Sequence, residues 1–142
     1  MNQPIKAFID TDVVISSLIS KLGAAYLLVN NPQINKFISN LSQREIYRVM
    51  EKLKITTDLN LESFQFITLP PSLDSYSNQF QNYVLDPNDC HILAGAVQGG
   101  CQYLVTYNLK HYRINLIKSG LSIQTLTPAQ LLQILRLRKY II

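Results

Sequence analysis

The chain has 142 residues, 47% of them hydrophobic and only 15% charged, a length that accommodates a substantial core and leads us to expect one domain over residues 1–142. Its formal net charge of +4 mildly favours a polyanionic partner. No apolar run approaches the roughly 18 residues of a membrane-spanning helix, and the first residues do not resemble a secretory signal. Two cysteines are too few for a disulfide framework. We therefore expect a cytoplasmic protein without a membrane partner.

The predicted elements alternate between strands and helices. In chain order, the pattern predicts a strand over residues 5–9, a helix over 16–29, a strand over 36–39 and a helix over 41–55. The next part is less regular, with a possible helix over 59–66, a strand over 66–69 and a helix over 73–83. Further on we predict a helix over 87–98, strands over 103–106 and 121–126, and a last helix from 128 to about 138. Such alternation is typical of βαβ units and predicts an α/β fold: a single three-layer α/β/α domain with a mainly parallel central sheet.

Several acids lie where such a sheet would bring them together. Asp10 and Asp12 follow the first strand, Glu45 lies in the first turn of the next predicted long helix, and Asp86 and Asp89 open a later helix. Sites in open parallel sheets form at the carboxyl ends of the strands, so we expect these side chains to converge there. Clustered carboxylates repel one another unless a cation compensates them, and hard oxygen ligands select Mg²⁺, Mn²⁺ or Ca²⁺. The pattern therefore predicts a metal site suited to phosphodiester hydrolysis.

Most of these acids also have a purely structural explanation. The Ser42-x-x-Glu45 spacing matches a capping box, in which Ser42 caps a helix and Glu45 reaches back to the cap amide. Asp86 and Asp89 favour a helix N-terminus whether or not a metal is present. Asp10 is the hardest to explain in this way, because a run of residues typical of a buried strand leads directly into it.

Taken together, the motifs resemble those of the PIN domain, the nuclease fold of VapC-type toxins and related RNA-processing enzymes. The resemblance extends from residue 5 to about 135 and rests on five segments in family order: Asp10-Thr-Asp12, Ser42-x-x-Glu45, Asp86-Pro-Asn-Asp-Cys-His-Ile-Leu-Ala94, Tyr103-Leu-Val-Thr-Tyr-Asn-Leu-Lys110 and Leu126-Thr-Pro128. It implies a Mg²⁺- or Mn²⁺-dependent ribonuclease that cuts single-stranded RNA. Asp10, Glu45 and Asp89 would be the catalytic acids and metal ligands, and Asp12 and Asp86 would add further metal-ligating carboxylates.

The resemblance also implies partners and supporting residues. The expected partners are single-stranded RNA, a small antitoxin whose C-terminal segment covers the acidic cleft, and a second copy of the chain in a homodimer. Five residues of the matching motifs would support the site or contact RNA: Ser42, Thr106, Asn108, Lys110 and His111.

The chain departs from the family pattern at two places. The family commonly has asparagine where Asp12 stands, and its fourth acid usually follows the Val-Thr strand, where this chain has Asn108. His111 replaces a carboxylate that often lies nearby. Because an asparagine cannot balance a second cation, the alternative function is a catalytically impaired PIN module that binds RNA or a protein partner. A phosphatase that uses Asp10 as nucleophile is a further alternative, but no glycine-rich phosphate loop follows it.

The remaining polar and aromatic candidates carry less weight. The spacing of Cys90, His91 and Cys101 matches no zinc pattern, so we expect the cysteines to be buried apolar residues and His91 to lie on a helix near the site. Tyr107 and Tyr112 could stack on RNA bases, or they could belong to a solvated loop.

Overall fold

A computed structural model describes residues 4–71 and 74–141 of the chain. Its strands are β1 Ile5–Ile9, β2 Ile34–Ser39, β3 Phe64–Ile67, β4 Tyr103–Val105 and β5 Gln124–Leu126. Its α-helices are α1 Thr11–Ile19, α2 Ala24–Val29, α3 Asn40–Lys52, α4 Asp74–Phe80, α5 Cys90–Gln98, α6 Ile114–Leu121 and α7 Pro128–Ile141. Short 3₁₀ turns cover Leu61–Ser63, Gln81–Tyr83, Pro87–Asp89 and Leu109–His111.

The five strands form one sheet in the order β3-β2-β1-β4-β5, and every neighbouring pair is parallel. The predicted α/β fold is therefore confirmed, and the sheet is wholly rather than mainly parallel. Because β1 lies between β2 and β4, the strand order reverses beside β1. In open parallel sheets a crevice forms at the carboxyl ends of the strands at such a reversal. The topology thus favours a site where β1 and β4 end.

Helices cover both faces of the sheet and bury a separate apolar cluster on each. On one face, α1, α2 and α7 pack against side chains such as Ile5 and Ile9 of β1. On the other face, α5 and α6 pack against Phe8 and Leu104. Four of the five β1 residues, pointing to both faces of the sheet, are buried and Lys6 is partly exposed, which explains why the strand is apolar apart from this lysine.

Helix α5 lies unusually close to β1 at Gly95. A Cβ atom built on Gly95 would stand 2.5 Å from Cε2 of the buried Phe8 ring. Glycine at this position allows the helix to approach the strand, and it fixes the height of α5 above the sheet.

Several predicted boundaries are wrong. The single helix predicted over 16–29 is two helices, and the first begins at Thr11 because the Asp10 side chain caps it. Residues 59–66 form a 3₁₀ turn and the start of β3 rather than a helix. Helix α6 was not predicted, and its last turn occupies the start of the predicted 121–126 strand. The predicted start of a helix at residue 73 lies outside the described residues.

None of the helices in the described part of the chain is long and apolar enough to cross a membrane.

Candidate functional site

Asp10 is fixed by three hydrogen bonds at the point where β1 becomes α1. Its Oδ1 accepts the Thr11 amide at 2.8 Å and so caps α1. Its Oδ2 accepts the hydroxyl groups of Thr106, at 2.9 Å, and of Tyr112, at 2.8 Å. Burial nevertheless raises the pKa of Asp10, because these bonds and its other surroundings do not replace the lost hydration.

Asp12 lies in the first turn of α1 and reaches the loop that follows β4. Its Oδ2 accepts the Tyr107 amide at 2.9 Å. Its Oδ1 is buried and has no hydrogen-bond partner among the described residues. Burial, and then the charge of Asp10, raise the pKa of Asp12 to about 6. Asp12 therefore presents an unsatisfied oxygen at the site.

Glu45 does not belong to a capping box. The box at the start of α3 is formed by Ser39 and Ser42, because the helix begins at Asn40, earlier than predicted. Glu45 then falls on the second turn, and its Oε2 lies 3.4 Å from Nε2 of His91 on α5. The hydrogen bond from His91 lowers the pKa of Glu45 and keeps this carboxylate charged at neutral pH.

The two acids before α5 have different surroundings. Asp86 is exposed, and its Oδ1 accepts the Asn88 amide at 3.0 Å, so it caps the 3₁₀ turn as the structural explanation predicted. Asp89 is partly buried, and its Oδ2 lies 3.8 Å from Nδ1 of His111. Burial, and then the charges of Asp10 and Asp86, raise the pKa of Asp89 to about 6.

One cavity of about 390 Å³ brings the remaining acids together. Four carboxylates, Asp10, Asp12, Glu45 and Asp89, contribute to its wall. Burial, followed by the charges of neighbouring carboxylates, raises the pKa values of three of them, Asp10, Asp12 and Asp89. The predicted convergence of acids at the sheet edge is present, without Asp86 in the wall.

The donor chemistry of the cavity fits a hard divalent cation. Carboxylate oxygens are the ligands that such ions prefer, and the buried Oδ1 of Asp12 lacks another partner among the described residues. Within the ranges that the structure describes, no three histidine, cysteine, aspartate or glutamate side chains are grouped closely enough to hold a metal ion as they stand. Binding would therefore require some of these side chains to move closer together.

The profile of the PIN domain family matches residues 6–110. The chain belongs to the PIN domain family. Comparison with curated protein sequences gives no significant match.

Solved structures share the fold of this PIN domain at low sequence identity. PAE2754 from Pyrobaculum aerophilum superposes with a TM-score of 0.61 at 16% identity, over 94% of this chain and 90% of that one. A chain of a toxin–antitoxin complex from Klebsiella pneumoniae gives a TM-score of 0.60 at 24% identity, covering 86% of this chain and 97% of that one. A chain of VapBC2 from Rickettsia felis, bound to a DNA fragment from its promoter, gives 0.53 at 17% identity, covering 87% and 98%. These neighbours show the fold.

The supporting residues predicted for the PIN domain lie at different depths. Asn108 and His111 line the cavity. Thr106 is buried behind it and hydrogen-bonds Asp10. Ser42 is fully buried in the cap of α3, which makes it a structural support and excludes RNA contact. Lys110 is exposed on the 3₁₀ turn beside His111.

Sequence reasoning missed the role of Tyr112. This side chain is only 5% exposed, so neither of the two alternatives, stacking on RNA bases or a place in a solvated loop, holds for it, whereas Tyr107 is 44% exposed. His91 lies near the site on α5 as predicted, and it contacts Glu45. The position of His91 two residues after Asp89 was a usable signal, but nothing local connects Tyr112 with Asp10.

Proposed function

We propose that this PIN domain is a Mg²⁺- or Mn²⁺-dependent endoribonuclease that hydrolyses phosphodiester bonds in single-stranded RNA in the cytoplasm. The observation that carries the proposal is the set of four carboxylates around one cavity, at the strand-order reversal of the sheet. Within the described residues, the basic side chains that lie within 4 Å of these carboxylate oxygens are two histidines, His91 at 3.4 Å from Glu45 and His111 at 3.8 Å from Asp89. Burial, and to a lesser degree the charges of neighbouring carboxylates, raises the pKa of Asp10, Asp12 and Asp89, and a divalent cation would offset both effects.

The chain's own residues have distinct roles in this proposal. Asp10, Glu45 and Asp89 would hold the cation, and Asp12 would add a carboxylate from the first turn of α1. When bound, the ion supplies Lewis-acid polarisation of the phosphodiester and neutralises the clustered negative charge. His91 keeps Glu45 in the charged form that binds a cation, because its hydrogen bond lowers the pKa of Glu45.

The rim of the cavity offers groups that suit an RNA backbone. His111 has a side chain that is 54% exposed, and it lies in the cavity wall beside Asn108. Lys110 is exposed next to it in the chain. A lysine and a histidine donor beside an acidic centre would orient a phosphate group. Tyr107 is exposed in the same loop and could stack on a base.

We further propose that the protein is the toxin of a toxin–antitoxin pair and forms a homodimer. Two of the structural neighbours come from such complexes, and the chain covers 97% and 98% of those chains. An arginine from an antitoxin would pair with the uncompensated carboxylates. Exposed apolar side chains of α1, α2 and the loop between them, Ile19 (64%), Leu22 (95%) and Leu27 (58%), offer a surface that association would bury. Light scattering of the purified chain measures whether it is a dimer.

The proposal is tested by cleavage of a labelled single-stranded RNA with Mn²⁺ or Mg²⁺. The variant of choice is Asp10→Asn rather than Asp10→Ala, because asparagine retains an acceptor for the Thr11 amide and preserves the cap of α1. We expect cleavage by the wild type, none in EDTA, and a loss of at least about 100-fold in the variant, since a charged ligand is removed. Asp58→Asn, at an exposed acid away from the cavity wall, is the matched control and should cleave normally.

Two results would contradict the proposal. Cleavage that persists in Asp10→Asn would place the activity elsewhere. Absence of cleavage by folded wild type, with several RNAs and both metals, would favour the impaired module that binds RNA or a protein partner. Asn108→Asp, which restores an acid to the cavity wall, would then show whether the lost carboxylate is the cause.

A further inference from the structure

A buried tyrosine belongs to the acidic site. Tyr112 is 5% exposed, and its hydroxyl donates a hydrogen bond of 2.8 Å to Oδ2 of Asp10. We infer that Tyr112 is a positioning residue for Asp10: its hydroxyl fixes Oδ2 and leaves Oδ1 as the oxygen that binds the cation. This inference rests on the proposed function and adds to it a residue outside the acidic set.

The hydrogen bonds of Asp10 distinguish its two oxygens. Oδ2 accepts two hydroxyl groups, those of Thr106 and Tyr112. Within the described residues, Oδ1 accepts one donor, the Thr11 amide. A carboxylate offers about two lone-pair sites on each oxygen. Oδ2 is therefore filled, and Oδ1 keeps one site for a cation. Without the Tyr112 hydroxyl, both oxygens would have a free site and the carboxylate could bind in more than one orientation.

The backbone around Tyr112 is held on both sides, as a positioning group requires. Tyr112 forms an antiparallel bridge with Val84. The Leu85 amide donates to the His111 carbonyl at 3.0 Å, and the Arg113 amide donates to the carbonyl of residue 83 at 2.9 Å. The ring itself packs in the apolar cluster beneath α5 and α6. The position of the hydroxyl is thus set by a hydrogen-bonded frame and a packed core.

Packing alone does not account for the hydroxyl of Tyr112. Phenylalanine would fill the same space, and a buried hydroxyl costs free energy unless it is hydrogen-bonded. Burial, together with the charges of Asp10 and Asp89, raises the pKa of Tyr112, so the group stays protonated and remains a donor. The contact with Asp10 is therefore a permanent feature of the site at neutral pH.

Tyr112→Phe tests the inference because it removes one oxygen atom and keeps the ring. Calorimetric titration of metal-free protein with Mn²⁺ should show an affinity about ten-fold weaker than that of the wild type, at the low end for a partner that orients a metal ligand. Tyr83→Phe is the matched control, because Tyr83 is a partly buried tyrosine on the paired segment and lies outside the cavity wall. Its Mn²⁺ affinity should equal that of the wild type.

RNA cleavage gives a second readout that a purely structural role would not change. Tyr112 holds a metal ligand and does not reach the RNA. In Tyr112→Phe, kcat should therefore fall at low Mn²⁺ and recover at saturating Mn²⁺, while KM for RNA stays the same. Thermal unfolding without metal establishes the temperature range in which the variant is folded, and both measurements are made within it.

The outcomes separate the inference from the proposed function. Wild-type Mn²⁺ affinity in folded Tyr112→Phe, together with lost affinity in Asp10→Asn, would overturn the positioning role and leave the nuclease intact. If Tyr112→Phe loses Mn²⁺ binding only to the extent that the variant is unfolded, the positioning role is also overturned. If wild type binds no Mn²⁺, or Asp10→Asn binds it normally, the proposed function fails and the inference fails with it.

Discussion

Replacing Asp12 by asparagine should stabilise the metal-free protein. Asp12 carries a negative charge in a partly buried position next to Asp10, and its pKa is raised to about 6. A carboxyl group with a raised pKa in the folded state binds more protons when folded, so its favourable contribution to stability is lost as the pH rises. The metal-free wild type should therefore become less stable between about pH 4 and pH 6 and stay so above that range. Asparagine keeps an oxygen for the Tyr107 amide and carries no charge.

The pKa of Asp12 sets the size of this effect. A rise in pKa from the ordinary value of 3.8 to about 6 corresponds to a loss of about 3 kcal/mol in the free energy of unfolding at neutral pH, because a difference of one in pKa is worth about 1.4 kcal/mol. Solvent screening at this incompletely buried carboxylate reduces the expected gain to about 1–2 kcal/mol. Below about pH 4 the carboxyl group of the wild type is protonated, and the two proteins should have nearly equal free energies of unfolding.

Urea unfolding in EDTA, at about pH 7.5 and about pH 4, measures this difference. Asp58→Asn controls for the loss of a charge, because Asp58 is exposed and should leave stability unchanged at both values. Adding Mn²⁺ should reverse the order at neutral pH, since wild type offers the ion one more carboxylate. A destabilised Asp12→Asn at neutral pH without metal would refute the reasoning, which depends on the burial of the Asp12 charge and on its repulsion by Asp10.

Two further predictions concern the fold. Gly95→Ala should lower the free energy of unfolding by about 1–3 kcal/mol, because the new Cβ would stand 2.5 Å from the buried Phe8 ring. Urea unfolding measures this change. A gain in stability, as expected for a helical glycine with open space around it, would contradict the close approach of α5 to β1. Cys90 and Cys101 should both resist a thiol reagent at neutral pH until the protein is unfolded, because both are buried and burial raises the pKa of Cys101 to about 12. Rapid labelling of either thiol in the folded protein would refute this prediction.

The strands were easier to predict than the helix boundaries. The limits of β1, Ile5–Ile9, follow from the sequence because a strand buried on both faces is mostly apolar, and this one, apolar except at Lys6, is framed by Pro4 and Asp10. The start of α1 could not be found in the same way. Asp10 both follows the strand and caps the helix, so one residue carries two signals and leaves no loop between the elements.

The acids of the site could be predicted because the topology of a parallel sheet sends them to one edge. The capping box could not be assigned, because both Ser39 and Ser42 suit an N-cap, and the sequence alone does not show that the helix begins at Asn40 and places Ser42 in its first turn. The contact between Tyr112 and Asp10 joins residues 102 positions apart. It depends on a 3₁₀ turn and a single bridge to Val84, neither of which has a recognisable sequence pattern.

The position of β1 at the centre of the sheet has a consequence for the order of events during synthesis. Strand β4, its second neighbour, is translated much later than β1. So is Thr106, whose hydroxyl donates a hydrogen bond to Asp10 from 96 positions further along the chain. At roughly 5–20 residues per second, the ribosome needs about 5–20 s to span that interval. The acidic cavity therefore cannot form when β1 is made, but only after β4 and the loop that follows it have been synthesised.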